Sequence, residues 1–225
     1  MRIAVIGAGS IGGTLALRWA ALGHDLRLAN SRGPESLADL VADTAVTAAP
    51  LEEVARGAEA VVISIPFGAI PDLAATVPTF PADAVLIDTG NYVPVLRDEP
   101  IAELDAGAVE SLWVAAQLGR PVVKAFNTIG VASLRDRALP AGSPARVGAP
   151  VAAETPREQE VASALVDAAG FDPVPGGALA DSWRQQPGTP VYTTDLAAAD
   201  VPEALRRARH EDTVAWRMRM AEPRR

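Results

Sequence analysis

The chain has no cysteine, only two histidines (His24 and His210), and a single lysine, Lys124, among its 225 residues. The missing thiols exclude disulfides, thiolate metal sites and cysteine nucleophiles, and no metal site is expected from any other ligand set. No apolar stretch reaches the roughly 18 residues that a membrane-spanning helix needs, and no charged leader precedes an apolar segment. A cytoplasmic protein without a membrane partner is the expectation. A net charge of −8 argues further against a nucleic-acid surface and against anionic membranes. Nineteen of the twenty basic residues are arginine, a bias read here as genome composition and given no functional weight.

What is present is apolar and rhythmic. About half of the chain is hydrophobic (49%), as suits helices packed on a buried sheet. The first thirty-two residues organise the rest. The run Arg2-Ile3-Ala4-Val5-Ile6 reads as a strand buried on both faces, and Gly7-Ala8-Gly9-Ser10-Ile11-Gly12 follows at once. Ile11, Leu15, Trp19 and Leu22 then recur at helical spacing, and Gly23 stands where a helix end takes a left-handed residue. A second strand, Leu26-Arg27-Leu28-Ala29, leads into Asn30-Ser31-Arg32. In a strand–turn–helix setting Gly7 permits the tight turn, Gly9 lets a pyrophosphate approach the backbone, and Gly12 lets helix and strand pack closely. The helix N-terminus offers N–H groups and partial positive charge to phosphates, with Ser10 and Ile11 in its first turn. A unit that binds NAD carries Asp or Glu at the end of the second strand to hold the ribose hydroxyl. Here that position has no acid, and Asp25 lies at the wrong end. A serine hydroxyl and a guanidinium suit a 2′-phosphate, so NADP(H) is the expected cofactor, with a plain loop arginine as the alternative for Arg32.

Along the chain, helices are expected over 35–42, 51–56, 69–76, 109–118, 156–169 and 202–220, and strands at 45–46, 60–65, 84–87, 121–126, 145–147 and 171–174. Up to Gly130 strands and helices alternate, which implies a Rossmann-type, doubly wound, mostly parallel α/β sheet. The division expected is 1–138 for the NADP-binding unit and 139–225 for a short C-terminal α/β extension packed on it. Ligands of such sheets bind at the carboxyl edge of the strands. Ser64, Ile65, Pro66 and Phe67 are therefore candidates for the cofactor wall, although Pro66 can simply stop the strand and Phe67 cap the core. Thr89 and Gly90 follow the fifth strand, where Asp88 can line the cleft or cap a turn. Asn127, Thr128 and Ile129 follow the sixth. Residues 202–225 hold seven arginines against four acids, most simply a solvated helix face, with a contact for an acidic ligand or a partner subunit as the alternative.

Several of these segments, in this order, resemble one family. They are 6–13, Asn30-Ser31-Arg32, Ile65-Pro66-Phe67, Lys124-Ala125-Phe126-Asn127-Thr128-Ile129 and 177–183. The chain resembles the NADP oxidoreductases that depend on the deazaflavin coenzyme F-420. It is also similar to the NADPH-binding domain of the six-transmembrane metalloreductases. The resemblance runs over essentially the whole chain. It implies that Ser31 and Arg32 take the 2′-phosphate, and that Ile65, Pro66, Phe67, Asn127, Thr128 and Ile129 flank the ribose and nicotinamide. Phe67 stands where the family often has tryptophan, and the tail over 185–192 is closer to bacterial than to archaeal members.

The function expected is hydride transfer between NADP(H) and a deazaflavin or flavin-type acceptor, with a homodimer as the expected assembly. Such transfer depends mainly on positioning two rings, here by Pro66, Asn127 and Thr128. Carbonyl reduction would also need a proton donor. His24 sits opposite the cofactor end and His210 on the basic helix, neither Tyr92 nor Tyr192 belongs to a Tyr-x-x-x-Lys pattern, and Lys124 reads equally as a snorkelling or a catalytic lysine. An imine or carbonyl reductase and a non-catalytic NADP-sensing domain stand as alternatives.

Overall fold

The computed structural model describes residues 1–76 and 80–221. In chain order the elements begin with β1 (Arg2–Ile6), α1 (Gly12–Ala21), β2 (Asp25–Ala29), α2 (Ala38–Val41), β3 (Val46–Ala48) and β4 (Ala60–Ile63). There follow α3 (Ile70–Thr76), β5 (Val85–Asp88), α4 (Ala102–Asp105), α5 (Glu110–Leu118), β6 (Val123–Lys124) and α6 (Val131–Asp136). The remainder comprises β7 (Gly148–Val151), α7 (Pro156–Ala168), β8 (Asp172–Pro175), α8 (Val201–Arg207) and α9 (His210–Ala221). The first six strands form one parallel sheet in the order β3-β2-β1-β4-β5-β6, the doubly wound order in which the crossover direction reverses between β1 and β4. No helix among the described residues is long and apolar enough to cross a membrane.

Ile3, Val5, Val62 and Ile87 are buried against Leu15, Trp19 and Leu165 on one face of the sheet. Ala4, Ile6, Val61, Ile63 and Leu86 meet Phe67, Leu73 and Val114 on the other. Strands covered on both faces read as unbroken apolar runs, which is why β1, β4 and β5 stand out in the sequence. The C-terminal part shares the first of these cores. Strands β7 and β8 pair in parallel as a separate two-stranded sheet, and Ala152, just past β7, exchanges backbone bonds of 2.9 and 3.0 Å with Lys124 of β6. Trp19 also donates its indole N–H to Leu165 O at 3.1 Å. Helix α7 starts with a complete capping box, Thr155 Oγ1 accepting from Glu158 N and Glu158 accepting from Thr155 N.

Five expectations are corrected. The stretch 51–56 is a chain of separate turns, because Pro50 and left-handed Gly57 leave too few residues to propagate a helix. The expected helix over 35–42 is instead a 3-10 turn, Pro34–Leu37, followed by the single turn α2. The sixth strand shrinks to Val123–Lys124, since Pro121 offers no N–H and Phe126 turns out of the ladder at φ 65°. The strand placed at 145–147 begins three residues later. Arg146 is instead turned inward, donating to Asp167 Oδ1 at 2.7 Å and Phe171 O at 2.6 Å. The last helix breaks at extended Ala208, and Arg217 on α9 is not solvated: it donates to Leu104 O and pairs with Glu110 Oε1 at 3.0 Å. Arg224 and Arg225, counted in that basic end, lie outside the described residues.

Glu110 is fully buried and has Lys124 Nζ 4.0 Å from its other oxygen. Burial pushes its carboxyl upward against the pull of Lys124 and Arg217. Removing one partner of a buried pair costs about 3–5 kcal/mol. Arg217→Met is therefore expected to lower the unfolding free energy by about 3 kcal/mol in urea denaturation. A loss under about 1 kcal/mol would mean that Glu110 does not depend on this partner.

Candidate functional site

Two adjoining clefts open at the carboxyl edge of the six-stranded sheet. The first, of about 650 Å³, is lined by Gly7, Gly9, Asn30, Ser31, Arg32, Pro50, Leu51, Glu52 and Asp72, among others. The second, of about 430 Å³, is lined by Ser10, Ile11, Thr89, Gly90, Asn91, Arg97, Asn127, Ile129, Tyr192 and Thr193, among others. They share Gly9, Ser64, Ile65 and Pro66, so they form one groove that passes over the glycine turn. This is the crevice where open α/β sheets bind nucleotides.

The three glycines differ in what surrounds them. A Cβ on Gly7, whose φ is +109°, would lie 2.1 Å from Ser64 O, and one on Gly12 would lie 2.0 Å from Gly7 O. Both are packed shut by backbone. A Cβ on Gly9 would meet nothing within 4 Å, so Gly9 presents bare backbone to the groove. No side chain caps α1 at Ile11, and although Gly13 N donates to Gly9 O at 2.8 Å, the remaining N–H groups of the first turn are left for an anion.

At one end of the groove Asn30 builds the loop that carries Ser31 and Arg32. Its Oδ1 accepts from Arg32 N at 2.9 Å and its Nδ2 donates to Ser36 Oγ at 2.9 Å. Ser31 and Arg32 are exposed and keep their side chains on the groove. Asp25 pairs with Arg2 at the far end of β2. The carboxylates on this cleft, Glu52 and Asp72, come from other elements and not from the end of β2.

At the other end Asn127 and Asn91 are clasped. Asn127 Nδ2 donates to Asn91 Oδ1 at 3.0 Å and to Gln185 O at 2.7 Å, while Asn91 Nδ2 donates to Asn127 O at 2.9 Å. Asn127 Oδ1 is buried without a hydrogen-bond partner among the described residues. An orphan acceptor at this end and open backbone at Gly9 fit a dinucleotide that brings an amide donor and a pyrophosphate. Neighbouring Phe126 holds its left-handed turn with its ring edge-on to Trp19 at 5.7 Å.

Three expected residues do not reach the groove wall. Phe67 is turned into the core, stacked on Trp113 at 5.8 Å, so of its two readings the core cap is the one adopted. Thr128 is buried and contributes its carbonyl to Thr193 N at 2.9 Å. Gly12 shapes the turn from behind. Asp88 is a cap and an ion partner, accepting from Gly90 N at 2.8 Å, Ser111 Oγ at 2.9 Å and Lys124 Nζ at 2.8 Å. Lys124 is fully buried, neither snorkelling nor on the groove. Sequence reasoning passed over Pro50, Leu51 and Glu52, which sit in the stretch misread as a helix start. It also passed over Arg97 and Thr193, which come from loops without periodic pattern, and weighed Tyr192 only against a Tyr-x-x-x-Lys pattern. No group of three His, Asp or Glu side chains that could hold a metal lies together among the described residues.

With this geometry the comparisons are specific about the N-terminal part. Residues 2–92 match the model of the family described as NADP oxidoreductase, coenzyme F-420-dependent. Over these residues the chain is similar to that family. The fold is that of its relatives: a hypothetical protein from Sinorhizobium meliloti, 29% identical, superposes with a TM-score of 0.76 over 88% of this chain and 95% of that one. A protein from an Arthrobacter species, provisionally named an F-420-dependent NADP reductase, superposes at 0.62 with 23% identity, covering 80% of this chain and 86% of its own. The Escherichia coli protein YjhV is 46% identical over 67 residues, which are 30% of this chain and 49% of YjhV. The chain spans about half the length of that curated relative.

The contrast among the glycines is testable. Gly9→Asp is expected to keep the wild-type melting temperature, since its side chain enters open space, and to weaken NADPH binding about a hundredfold by repelling the pyrophosphate. Thermal melts and titration of bound-nicotinamide fluorescence check both parts. Unchanged NADPH affinity would take the turn out of the phosphate site.

Proposed function

We propose that the protein is an NADP(H)-dependent oxidoreductase that passes a hydride between the nicotinamide and a deazaflavin or flavin-type acceptor. The observation that carries this reading is the single groove with Ser31 and Arg32 at one end and small residues, Gly90 and Gly130, at the other. Ser31 and Arg32 would hold the 2′-phosphate, the backbone at Gly9 and the start of α1 the pyrophosphate, and Asn127 Oδ1 the carboxamide. When bound, the reduced nicotinamide supplies the hydride. The chain supplies position. Pro66 and Ile65 form the wall shared by both clefts, and the Asn91–Asn127 clasp keeps the far end of the groove in one shape. The match of residues 2–92 to a family of NADP oxidoreductases supports the cofactor assignment, and the description of that family supports a deazaflavin acceptor.

A carbonyl or imine acceptor is the second reading. It is favoured by Tyr192, a proton-bearing side chain on the cleft that continues the groove past Pro66.

The test is oxidation of NADPH, followed by loss of nicotinamide absorbance, with a deazaflavin, FMN, FAD, ferric chelates and simple imines offered in parallel. Turnover with a deazaflavin or flavin and none with imines is expected. Turnover with imines alone would select the second reading, and tight binding of NADPH with no turnover would point to a sensor. Arg32→Glu is expected to weaken NADPH at least about tenfold more than NADH, by loss of a charge-assisted contact to the 2′-phosphate. Equal losses for both would remove Arg32 from that contact.

A further inference from the structure

The far cleft holds two hydrogen-bond donors with no partner among the described residues, and both are fixed in place. Arg97 is anchored along one edge. Its Nε and Nη2 donate to Asp98 Oδ2 at 3.2 and 3.0 Å, and Nη2 also reaches Asn91 O. Asp98 is itself immobilised, buried and accepting from Phe67 N and Val93 N at 2.8 Å each. The guanidinium is a rigid fork, so binding one edge orients the other. Its Nη1 has no partner among the described residues.

Tyr192 is held as firmly. Its ring stands edge-on to Trp216 at 6.2 Å. Two of the three residues that follow it, Thr193 and Asp195, have φ of 54° and 51°, a strained region for side chains of this kind. That strain is offset by outside contacts: Thr193 N donates to Thr128 O at 2.9 Å, and Asp195 Oδ2 accepts from Ser133 Oγ at 2.7 Å and Arg137 Nη1 at 2.9 Å. Strained backbone held from several sides occurs where a side chain must be aimed. The Tyr192 hydroxyl makes no hydrogen bond among the described residues.

The other candidate proton donors are occupied. Tyr92 is buried, donates its O–H to Asp105 Oδ1 at 2.8 Å and accepts from Ile101 N at 3.0 Å. Lys124 is committed to Asp88 and Gly90 O. His24 lies beside the N-terminus and His210 against Trp183, neither on the groove. The charged groups that act on Tyr192 are Glu110 and Arg97. Burial and Glu110 push its phenol above the ordinary tyrosine range, against the pull of Arg97, so it carries its proton at neutral pH.

We propose that Tyr192 and Arg97 form the acceptor subsite, with the Tyr192 hydroxyl delivering the proton that accompanies the hydride and Arg97 Nη1 holding the acceptor heteroatom that gains negative charge. This rests on the oxidoreductase reading above and extends it to the acceptor. The hydride adds its electron pair to the electrophilic atom of a conjugated acceptor, and an electron pair of that acceptor moves onto its heteroatom. The heteroatom bonds the proton as the Tyr192 O–H bond breaks, and the tyrosinate takes a proton back from water. The reduced nicotinamide loses one hydride, which carries both electrons, and the acceptor gains that hydride and a proton. The class of acceptor is a conjugated molecule with such a heteroatom, of which the ring system of FMN is one.

The test uses Tyr192→Phe, which keeps the ring and its Trp216 contact, and Arg97→Gln, with FMN as the probe. Three readouts separate the roles: NADPH affinity by fluorescence, FMN affinity by quenching in the presence of NADP⁺, and NADPH oxidation by FMN in light and heavy water. Tyr192→Phe is expected to leave both affinities within twofold, to lower kcat about a hundredfold and to abolish the solvent isotope effect. Arg97→Gln is expected to weaken FMN at least tenfold with NADPH affinity unchanged. Wild-type kcat and isotope effect in Tyr192→Phe, or FMN affinity indifferent to Arg97→Gln, would overturn the subsite. Failure of the wild type to bind FMN in the presence of NADP⁺ would also overturn it. Failure of the wild type to bind NADPH at all would instead overturn the function on which it rests.

Discussion

The groove depends on backbone touching backbone. Gly7 lies so close to Ser64 O, and Gly12 so close to Gly7 O, that a methyl group at either position would overlap a carbonyl oxygen. This contact sets how near the start of α1 comes to the ends of β1 and β4. It therefore sets where the uncapped N–H groups of α1 stand relative to Ile65 and Pro66. Ser64 takes part twice: its N–H bonds Ile6 O at 2.8 Å as the last rung of the ladder, and its carbonyl meets Gly7. Past that rung the chain is free to form a wall, which is why β4 ends at Ile63 and the groove begins at Ser64.

The far half of the groove is supported from beneath by a buried ionic network. Lys124, from the short strand β6, bonds Asp88 and Gly90 O and lies near Glu110, which Arg217 reaches from the last helix. Two cations and two carboxylates compensate one another away from water, an arrangement that is costly to break at one member. The network ties the carboxyl end of β5 to α5 and α9. It is thus how the C-terminal part of the chain, which contributes Tyr192, is held in register with a sheet laid down a hundred residues earlier.

Legibility followed the physics of burial. Strands covered on both faces, such as β1, β4 and β5, produce uninterrupted apolar runs and were readable, as were α1 with its Leu15 and Trp19 and α7 with Thr155 and Glu158. The glycine turn was readable because each glycine meets a different demand. Short or turn-built segments were not. The 51–56 stretch has helical composition but is cut by Pro50 and Gly57, and β6 loses its length to Pro121 and to the left-handed Phe126. The groove was readable where it follows a strand, at Ser31, Arg32, Ser64 to Pro66, Gly90 and Asn127. It was not readable at Arg97 and Tyr192, whose place is set by the Asp98 anchor and by strained turns at Thr193 and Asp195, and neither leaves a period in the sequence. Arg217 misled for the opposite reason: an arginine among arginines gives no sign that one of them is buried.

The central claim is that one groove holds NADP(H) in a defined direction, with the 2′-phosphate at Ser31 and Arg32 and the nicotinamide beyond Pro66. The most direct measurement is a crystal structure of the protein with NADP⁺. The account predicts phosphate oxygens within hydrogen-bond distance of the first-turn N–H groups of α1, the 2′-phosphate on Ser31 and Arg32, and the carboxamide N–H on Asn127 Oδ1. It also predicts the nicotinamide ring open to the cleft that Tyr192 lines. A nucleotide bound in the reverse direction, or one whose nicotinamide is sealed from that cleft, would contradict it.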